Sequence, residues 1–360
     1  MLQKRRAFLK TSGLMAAMGL AGCTDGLLDQ GGDGSGSGGG GWKYDPATLA
    51  TVGNKFFGDM AFGQIYDNRE YLPESTRSSF ESQEEDSPID PSDIEKMSGV
   101  GGGDIAIEGE TASGFGSVAI TGSWDKATMV DNVESEGEAT KIGEYEGFSL
   151  YEDADWTGDS MSPGGETQAS AVGAVGDDAM LVGMSGAQGT SSEVTGEDAV
   201  KAMIDASNGS APLLENNSQY VGQITSSVSA NSMLAGGEVD PNIVEFATQD
   251  MGSTEQQYVE GLRASGFGAS IEGETTTFSV AILYETAAVA EETGIKELAE
   301  GLAPTLESEN PALDSLESRY EENAIIIEAA GPTQKIFEEG QTTAGTQLDV
   351  ANPSGNVLPQ

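Results

Sequence analysis

The side chains of this chain that could do chemistry are almost all carboxylates. Its 360 residues include 60 aspartates and glutamates, a single cysteine and no histidine. The lack of histidine excludes Ser-His-Asp and Cys-His nucleophile systems, imidazole general bases and nearly all zinc, copper and haem ligation. A glycosidase needs only two suitably spaced acids, but no pair stands out among so many. The sequence therefore predicts no catalytic residue and no cofactor, and a carboxylate-only hydrolase stays open as an alternative.

A calcium site requires only oxygen ligands, which this chain has in abundance. Residues 153–159 begin like an EF-hand loop, but the twelfth position is Gly164, where a bidentate glutamate is required. An acidic turn between strands is the favoured interpretation, and we expect no metal site. The glycine run at 101–103 lacks the pattern of a phosphate-binding loop.

The amino terminus carries a basic segment followed by a short apolar one. The basic segment reads KRRAFLK from residue 4, and its distinctive positions are Arg5, Arg6, Phe8 and Leu9. The apolar stretch at 11–22 is far shorter than the roughly 20 residues that a helix needs to cross the hydrocarbon core. Both features are typical of a targeting segment, so we expect residues 1–22 to lie outside the fold.

Cys23 follows the apolar stretch directly, after Leu20-Ala21-Gly22. This ending resembles the lipobox of bacterial and archaeal lipoproteins, in which the cysteine sulfur takes a lipid and becomes the new amino terminus. The arginine pair resembles a twin-arginine (Tat) export signal, although Lys4 stands where that family usually has Ser or Thr. The resemblance covers residues 1–23. It implies export by the Tat machinery, a lipid on Cys23, and a place on the outer face of the cytoplasmic membrane.

Net charge indicates the solvent in which the protein folds. The formal charge is −44, and removal of the four basic residues within 1–22 takes it to −48. Such a charge repels itself in dilute buffer, whereas molar salt shortens the Debye length to about 3 Å. The composition resembles secreted proteins of extreme halophiles, mostly archaea. A disordered acidic chain is the alternative, but recurring apolar segments favour a folded body. Nucleic acid is excluded as a partner, because its phosphates would be repelled.

Composition divides the chain into five regions. Gly, Ser and Asp dominate residues 24–41, which indicates a flexible linker that holds a body away from the membrane. The polar end of the chain indicates a loose tail. The predicted regions are a signal peptide at 1–22, a lipidated cysteine and linker at 23–42, α+β units at 43–229 and 230–340, and a tail at 341–360.

An internal repeat predicts that the body consists of two related units. Matching segments occur in the same order: IEGET at 107–111 and 271–275, FGSVAI at 115–120 with FSVAI at 278–282, and DDAMLV at 177–182 with ENAIII at 322–327. The first two predict a hairpin with glycine at its tip, and the third predicts a strand buried on both faces. The expected fold class is α+β: two related units of mostly antiparallel sheet with packed helices, after a disordered amino-terminal linker.

Local signals refine this expectation. The sequence predicts a strand at 60–66, a second hairpin around 148–151, a bulge at Gly116, helix caps at Ser123 and Thr195, a helix end at Asn208-Gly209, and helical patterns that include 295–302 and 336–337. Val118 and Ile120 are expected to point into the core of the first unit, and Val280 and Ile282 into that of the second.

Two sequons make Asn208 and Asn216 candidate glycosylation sites, because exported chains expose such segments. The expected function is that of a membrane-anchored extracellular lipoprotein, a non-catalytic binding or structural module of a halophile cell envelope. The ligand or protein partner is not indicated. A solute-binding lipoprotein of an uptake transporter is the alternative, although the hairpin-rich pattern lacks the parallel strand–helix alternation typical of a doubly wound fold.

Overall fold

One antiparallel sheet runs through the part of the chain that is described. The computed structural model describes residues 41–78, 80, 89–105, 111–136, 139–152, 167–188, 190–247, 253–295 and 313–337. Its strands are β1 Asn54–Met60, β2 Ile94–Ile105, β3 Ala112–Gly122, β4 Thr140–Tyr145, β5 Phe148–Glu152, β6 Thr167–Val175, β7 Ala179–Gln188, β8 Met233–Glu238, β9 Leu262–Glu272, β10 Thr275–Tyr284, β11 Ser315–Glu321 and β12 Ala324–Pro332. They lie in the order β11-β12-β10-β9-β8-β1-β2-β3-β7-β6-β5-β4.

Helices connect these strands, and a mixed α+β fold with an antiparallel sheet is confirmed. The α-helices are α1 Phe62–Asp67, α2 Lys126–Glu136, α3 Gly196–Ser207, α4 Leu214–Asn217, α5 Gln219–Ser227, α6 Pro241–Ala247, α7 Ser253–Val259 and α8 Ala287–Glu292, and short 3₁₀ turns occupy Pro46–Thr48, Arg69–Tyr71 and Pro91–Asp93. Within the described ranges, no helix has the length and apolar character required to span a membrane. The strands of 43–229 and those of 230–340 belong to a single sheet.

The largest core lies on one face of the sheet, which we call the helix face because α3 and α5 pack on it. Phe57, Leu181 and Ile326 are buried on this face. Helix α3 contributes Met203 and α5 contributes Ile224 to the same cluster. Smaller clusters cover the other face, where Ile120 packs near Phe62 and Met97.

The contact between α3 and β7 depends on two glycines. A Cβ at Gly183 would collide with the carbonyl oxygen of Gly196 and would lie 2.8 Å from the backbone nitrogen of Val200. The first turn of α3 can therefore rest directly on the strand. Thr195 caps this helix in a capping box with Asp198, and the helix ends before Asn208, as predicted.

The strand register repeats along the sheet. Val118 of β3 lies between Gly99 of β2 and Val182 of β7. Val280 of β10 lies in the same way between Phe267 of β9 and Ile327 of β12. Matching pairs of residues therefore occur in two groups of strands, β2-β3-β7-β6 and β9-β10-β12-β11. The third repeated segment lies on β7 and β12.

Several local predictions were wrong. Met60 ends β1, and the rest of the predicted strand at 60–66 is mostly helix α1. The Asp125 carboxylate accepts the backbone N–H of Thr128 at 2.7 Å, so Asp125 and not Ser123 caps α2. Gly116 pairs in unbroken register with both neighbouring strands, so no bulge occurs there. The extra residue instead places Phe115 on the helix face, whereas Phe278 of the second copy lies on the opposite face.

Other predictions are confirmed only in part. The second hairpin is formed by β4 and β5, as expected. Val118 and Ile120 lie on the face opposite the main core, and so do Val280 and Ile282. Of these four residues only Ile120 is buried, and the other three are half-buried. The second copy of IEGET forms the β9–β10 turn, whereas its first copy at 107–111 falls almost entirely outside the described residues. Most of the 295–302 pattern also lies outside them.

Candidate functional site

A cluster of charged side chains is buried at the middle of the helix face, where the folded body begins. The segment from Trp42 to Ala50 crosses the central strands, and Tyr44 within it is fully buried. The backbone N–H of Asp45 donates to the carbonyl of Pro212, and that of Leu214 donates to the carbonyl of Lys43. These bonds hold the segment between the sheet and the start of α4.

Asp59 on β1 is the centre of the first group of charges. It forms an ion pair with Lys43, and Lys96 Nζ lies 3.1 Å from its Oδ1. The hydroxyl of Ser98 donates to the same oxygen at 2.6 Å. Burial alone would raise the pKa of Asp59, but the charges of Lys43 and Lys96 and these hydrogen bonds hold it below its usual value. The carboxylate is therefore kept ionised although only 6% of the residue is exposed.

Asp45 is the centre of the second group. Lys55 Nζ lies 3.0 Å from its Oδ1, and the side-chain amide of Asn217 donates to its Oδ2 at 3.2 Å. Burial opposes ionisation here as well, but the N–H of Ala47, Lys55 and Asn217 together lower the pKa of Asp45. Asp45 thus joins the entering segment to β1 through Lys55 and to α4 through Asn217.

Glu238 on β8 completes the cluster and behaves differently from the aspartates. Its carboxylate accepts a hydrogen bond from the Ser218 hydroxyl and lies 3.9 Å from Lys55 Nζ. Desolvation by burial raises the pKa of Glu238, only partly opposed by Lys55 and reinforced by Asp45. The pKa of Glu238 is therefore raised, whereas the pKa values of Asp45 and Asp59 are lowered.

The chemistry of this arrangement is that of a clamp. A general acid or base requires a pKa near the working pH and access to a substrate proton. Asp45 and Asp59 have pKa values moved away from neutrality, and their oxygens are bound by lysines and by the amide of Asn217. Together they fasten the start of the body, the central strands and α4 to one another.

Sequence reasoning missed this cluster, although one signal for it was present. Lysine and arginine number only 16 in the whole chain, and Lys43, Lys55 and Lys96 converge within it. In so acidic a chain each lysine is a candidate for a specific role. They are far apart along the chain, so no local pattern indicates that they meet.

The predicted export and lipidation residues lie outside the described part of the chain, namely Arg5, Arg6, Phe8, Leu9 and Cys23. The acidic segment at 153–159 also lies outside it. In the described ranges, no group of three or more histidine, cysteine, aspartate or glutamate side chains is arranged to hold a metal ion.

The two sequons differ in accessibility. Asn208 and the two residues after it are exposed beyond the end of α3. Asn216 is exposed on α4, but Ser218 of the same sequon is buried, and its hydroxyl accepts the N–H of Val221. The first sequon is therefore the better candidate for modification of the folded chain.

Comparison with known proteins gives little further information. No protein-family model matches the chain, and no curated protein matches it. Crystal form IV of TP0453 is similar with a TM-score of 0.41 and 11% identity, over 84% of this chain and 98% of that one. Crystal form III has a TM-score of 0.41 and 9% identity, over 87% and 100%. Likenesses at this level carry no argument about function.

Proposed function

We propose that this chain is an exported lipoprotein, anchored through Cys23 on the outer face of the cytoplasmic membrane of a halophile. It acts there as a non-catalytic binding or structural module of the cell envelope. The observation that carries the proposal is the order of the motifs: the arginine pair, the short apolar stretch and the small residues directly before Cys23. The net charge of −48 after cleavage supports the halophilic environment.

The charge cluster supports the anchoring role. Residues 23–42 are predicted to be a flexible linker, and the clamp of Lys43 and Asp45 begins directly after it. A tethered body needs a firm attachment at the point where its linker ends. Two buried ion pairs in the first residues of the body provide one.

We further infer that residues 43–229 and 230–340 are two related units. The matching registers around Val118 and Val280 support this. Pairing also extends the match to the centre of the sheet: Gly58 pairs with Gly99, and Ala235 pairs with Phe267, the counterpart of Gly99. Gly58 and Ala235 then pair with each other, which is what a local two-fold axis between β1 and β8 requires.

Export and anchoring are tested by two variants in a halophilic host. Replacing both Arg5 and Arg6 with lysine should leave precursor in the cytoplasm, because the Tat route reads the arginine pair and not its charge alone. Lys10→Arg, which changes a basic residue outside the pair, is the matched control and should be exported normally. Normal export of the double variant would contradict the Tat assignment.

Replacing Cys23 with serine should release the protein from the membrane fraction or leave it unprocessed, because the variant lacks the sulfur that takes the lipid. Fractionation and intact mass measure both outcomes. Membrane retention of a fully processed Cys23→Ser chain would refute the lipid anchor.

The halophilic environment is tested by circular dichroism across a salt titration. We expect cooperative folding above roughly molar salt and loss of structure as screening weakens at low ionic strength. An unchanged spectrum and melting temperature in dilute buffer would contradict it.

A further inference from the structure

The two groups of strands that match in register differ in whether a further strand pairs with their outermost strand. On the first side, β6 is covered because β5 pairs with it, from Ser149 with Val175 to Glu152 with Val172. Its counterpart on the second side is β11, since Val182 pairs with Gly173 and Ile327 pairs with Ser318. In the described part of the chain β11 is the last strand of the sheet. A sheet edge presents backbone groups that can pair with another strand.

The residues of β11 complement a second copy of the same strand. If two copies pair antiparallel around Ser318, Glu317 of each faces Arg319 of the other, and Leu316 faces Tyr320. Side chains alternate between the faces of a strand, so the two charge pairs fall on one face and the two apolar pairs on the other. Opposite charges and apolar side chains directly across a strand pair are both favourable.

The existing surroundings of β11 favour this added partner. Within the chain Glu317 lies directly opposite Glu328 of β12, an unfavourable pairing of like charges. Arg319 binds Glu328 and Glu321, at 2.6 and 2.9 Å, and also donates to the carbonyl of Ser227 at 2.8 Å. Glu317 is exposed, and a second copy would bring another arginine to this carboxylate-rich row.

The opposite edge of the sheet, at β4, is protected by an irregular strand pairing. The pairing of β4 with β5 shifts register between Lys141 and Gly143, and Ile142 at that shift is exposed. Irregular pairing of this kind blunts an edge against further strands. Strand β11 pairs with β12 without any shift over its whole length.

We propose that β11 is an interface through which two copies of this chain pair edge to edge, joining their sheets across a two-fold axis at Ser318. This is a closed, isologous contact, so it yields a dimer and not a filament. The inference concerns the folded body and is independent of the lipid anchor.

The first test is the mass in solution, measured by light scattering in molar salt on the Cys23→Ser chain. A dimer is expected. A monomer at every concentration that stays soluble would overturn the proposal.

Disulfide trapping then locates the interface. In the Cys23→Ser background the added cysteine is the only one. Ser318→Cys should form a disulfide-linked dimer under mild oxidation, because position 318 faces itself across the axis. Thr140→Cys, exposed on the β4 edge, is the matched control and should remain unlinked. Equal cross-linking at both edges would overturn the assignment of the interface.

Charge exchange tests the register. Glu317→Arg places two arginine pairs at the interface, and Arg319→Glu places two glutamate pairs there, so each variant alone should dissociate more readily. Mixing the two restores opposite charges at both positions, and a mixed dimer is expected. Circular dichroism checks that each variant is folded. Failure of folded variants to prefer mixed dimers would refute this register.

Discussion

The two halves of the sheet share their strand register but differ in the side chains and helices that pack on it. We call residues 43–229 the first half and 230–340 the second. Ala119 and Ala281 occupy matching positions and are both fully buried. Asp59, which binds two lysines in the first half, corresponds in register to Gly236, a residue without a side chain. The two halves therefore share their strand register and a buried apolar position, whereas the ion pairs of Asp59 have no equivalent in the second half.

The packing of helices on the sheet also differs between the two halves. Gly183, which lets α3 rest on β7, corresponds to Glu328, which binds Arg319 instead. Ser117 and Ser279 also match and are both buried. Ser117 donates to the carbonyl of Ala199 on α3, whereas the hydroxyl of Ser279 has no hydrogen-bond partner among the described residues. Residues at matching positions of the sheet therefore differ in their contacts because different elements pack over them.

The largest effect is expected from breaking the ion pairs of Asp59, which have no equivalent at Gly236 of the second half. Asp59→Asn keeps the shape of the side chain but leaves Lys43 and Lys96 facing a neutral group. Removal of one partner from a buried ion pair costs about 3–5 kcal/mol. Denaturant unfolding in molar salt measures this loss. The control is Asp177→Asn, at an exposed position where the change should stay within about 0.5 kcal/mol.

The same variant has a distinct pH dependence. Because the pKa of Asp59 is lower in the folded chain than the unfolded value of about 3.9, its stabilisation is present above that value. The stabilisation is lost as the pH falls through the folded pKa. The stability difference between wild type and Asp59→Asn should therefore shrink in acid. A constant difference down to low pH would contradict the pairing described for Asp59.

The next effect concerns the close contact between α3 and β7. Gly183→Ala forces a Cβ against backbone atoms of α3, which cannot rotate away, so a loss of about 1–3 kcal/mol or more is expected. Gly173→Ala is the matched control, because its Cβ would meet only the carbonyl oxygen of Leu181 at 3.9 Å. Thermal unfolding of both variants measures the difference. Equal melting temperatures would show that the helix does not rest on the strand.

A smaller effect is expected from the matched serines, and it should differ in sign. Ser117→Ala removes a hydrogen bond to α3 and should cost about 1 kcal/mol. Ser279→Ala removes a buried hydroxyl without a partner and should be neutral or stabilising. Unfolding free energies of the two variants provide the comparison. Equal losses at both positions would mean that the cover over Ser279 also supplies a partner.

The smallest effect concerns the centre of the sheet, where Gly58 pairs with Ala235. Gly58→Ala would bring its Cβ 3.9 Å from that of Ala235, an ordinary contact, and Gly58 has no positive φ. A gain of about 0.4–1 kcal/mol is expected. Gly237→Ala on β8 is the control and should destabilise, because its Cβ would collide with the carbonyl of Lys55. A loss for Gly58→Ala would mean that the central pair is tighter than described.

The sequence predicted those parts of the fold that local chemistry determines. The capping box at Thr195 and the helix end at Asn208 depend on neighbouring residues and were identified correctly. The strand predicted at 60–66 failed because its apolar residues suit a helix equally well, and Phe62 and Tyr66 lie on α1. The ion pairs of Lys43 and Lys55 join distant segments, and no local pattern records such contacts. Local hydrophobic periodicity does not indicate which strands pair, so it could not predict that the strands form a single sheet.

The position of the clamp has a mechanical consequence. Any pull on the chain before Gly41 enters the body through Lys43 and Asp45, which are bound to β1. Strand β1 lies in the middle of the sheet and is hydrogen-bonded to β2 on one side and to β8 on the other. The load is thus shared by two ladders at once and does not peel a strand from an edge. A body held in this way resists a pull on its amino-terminal segment better than one that is held through a terminal strand.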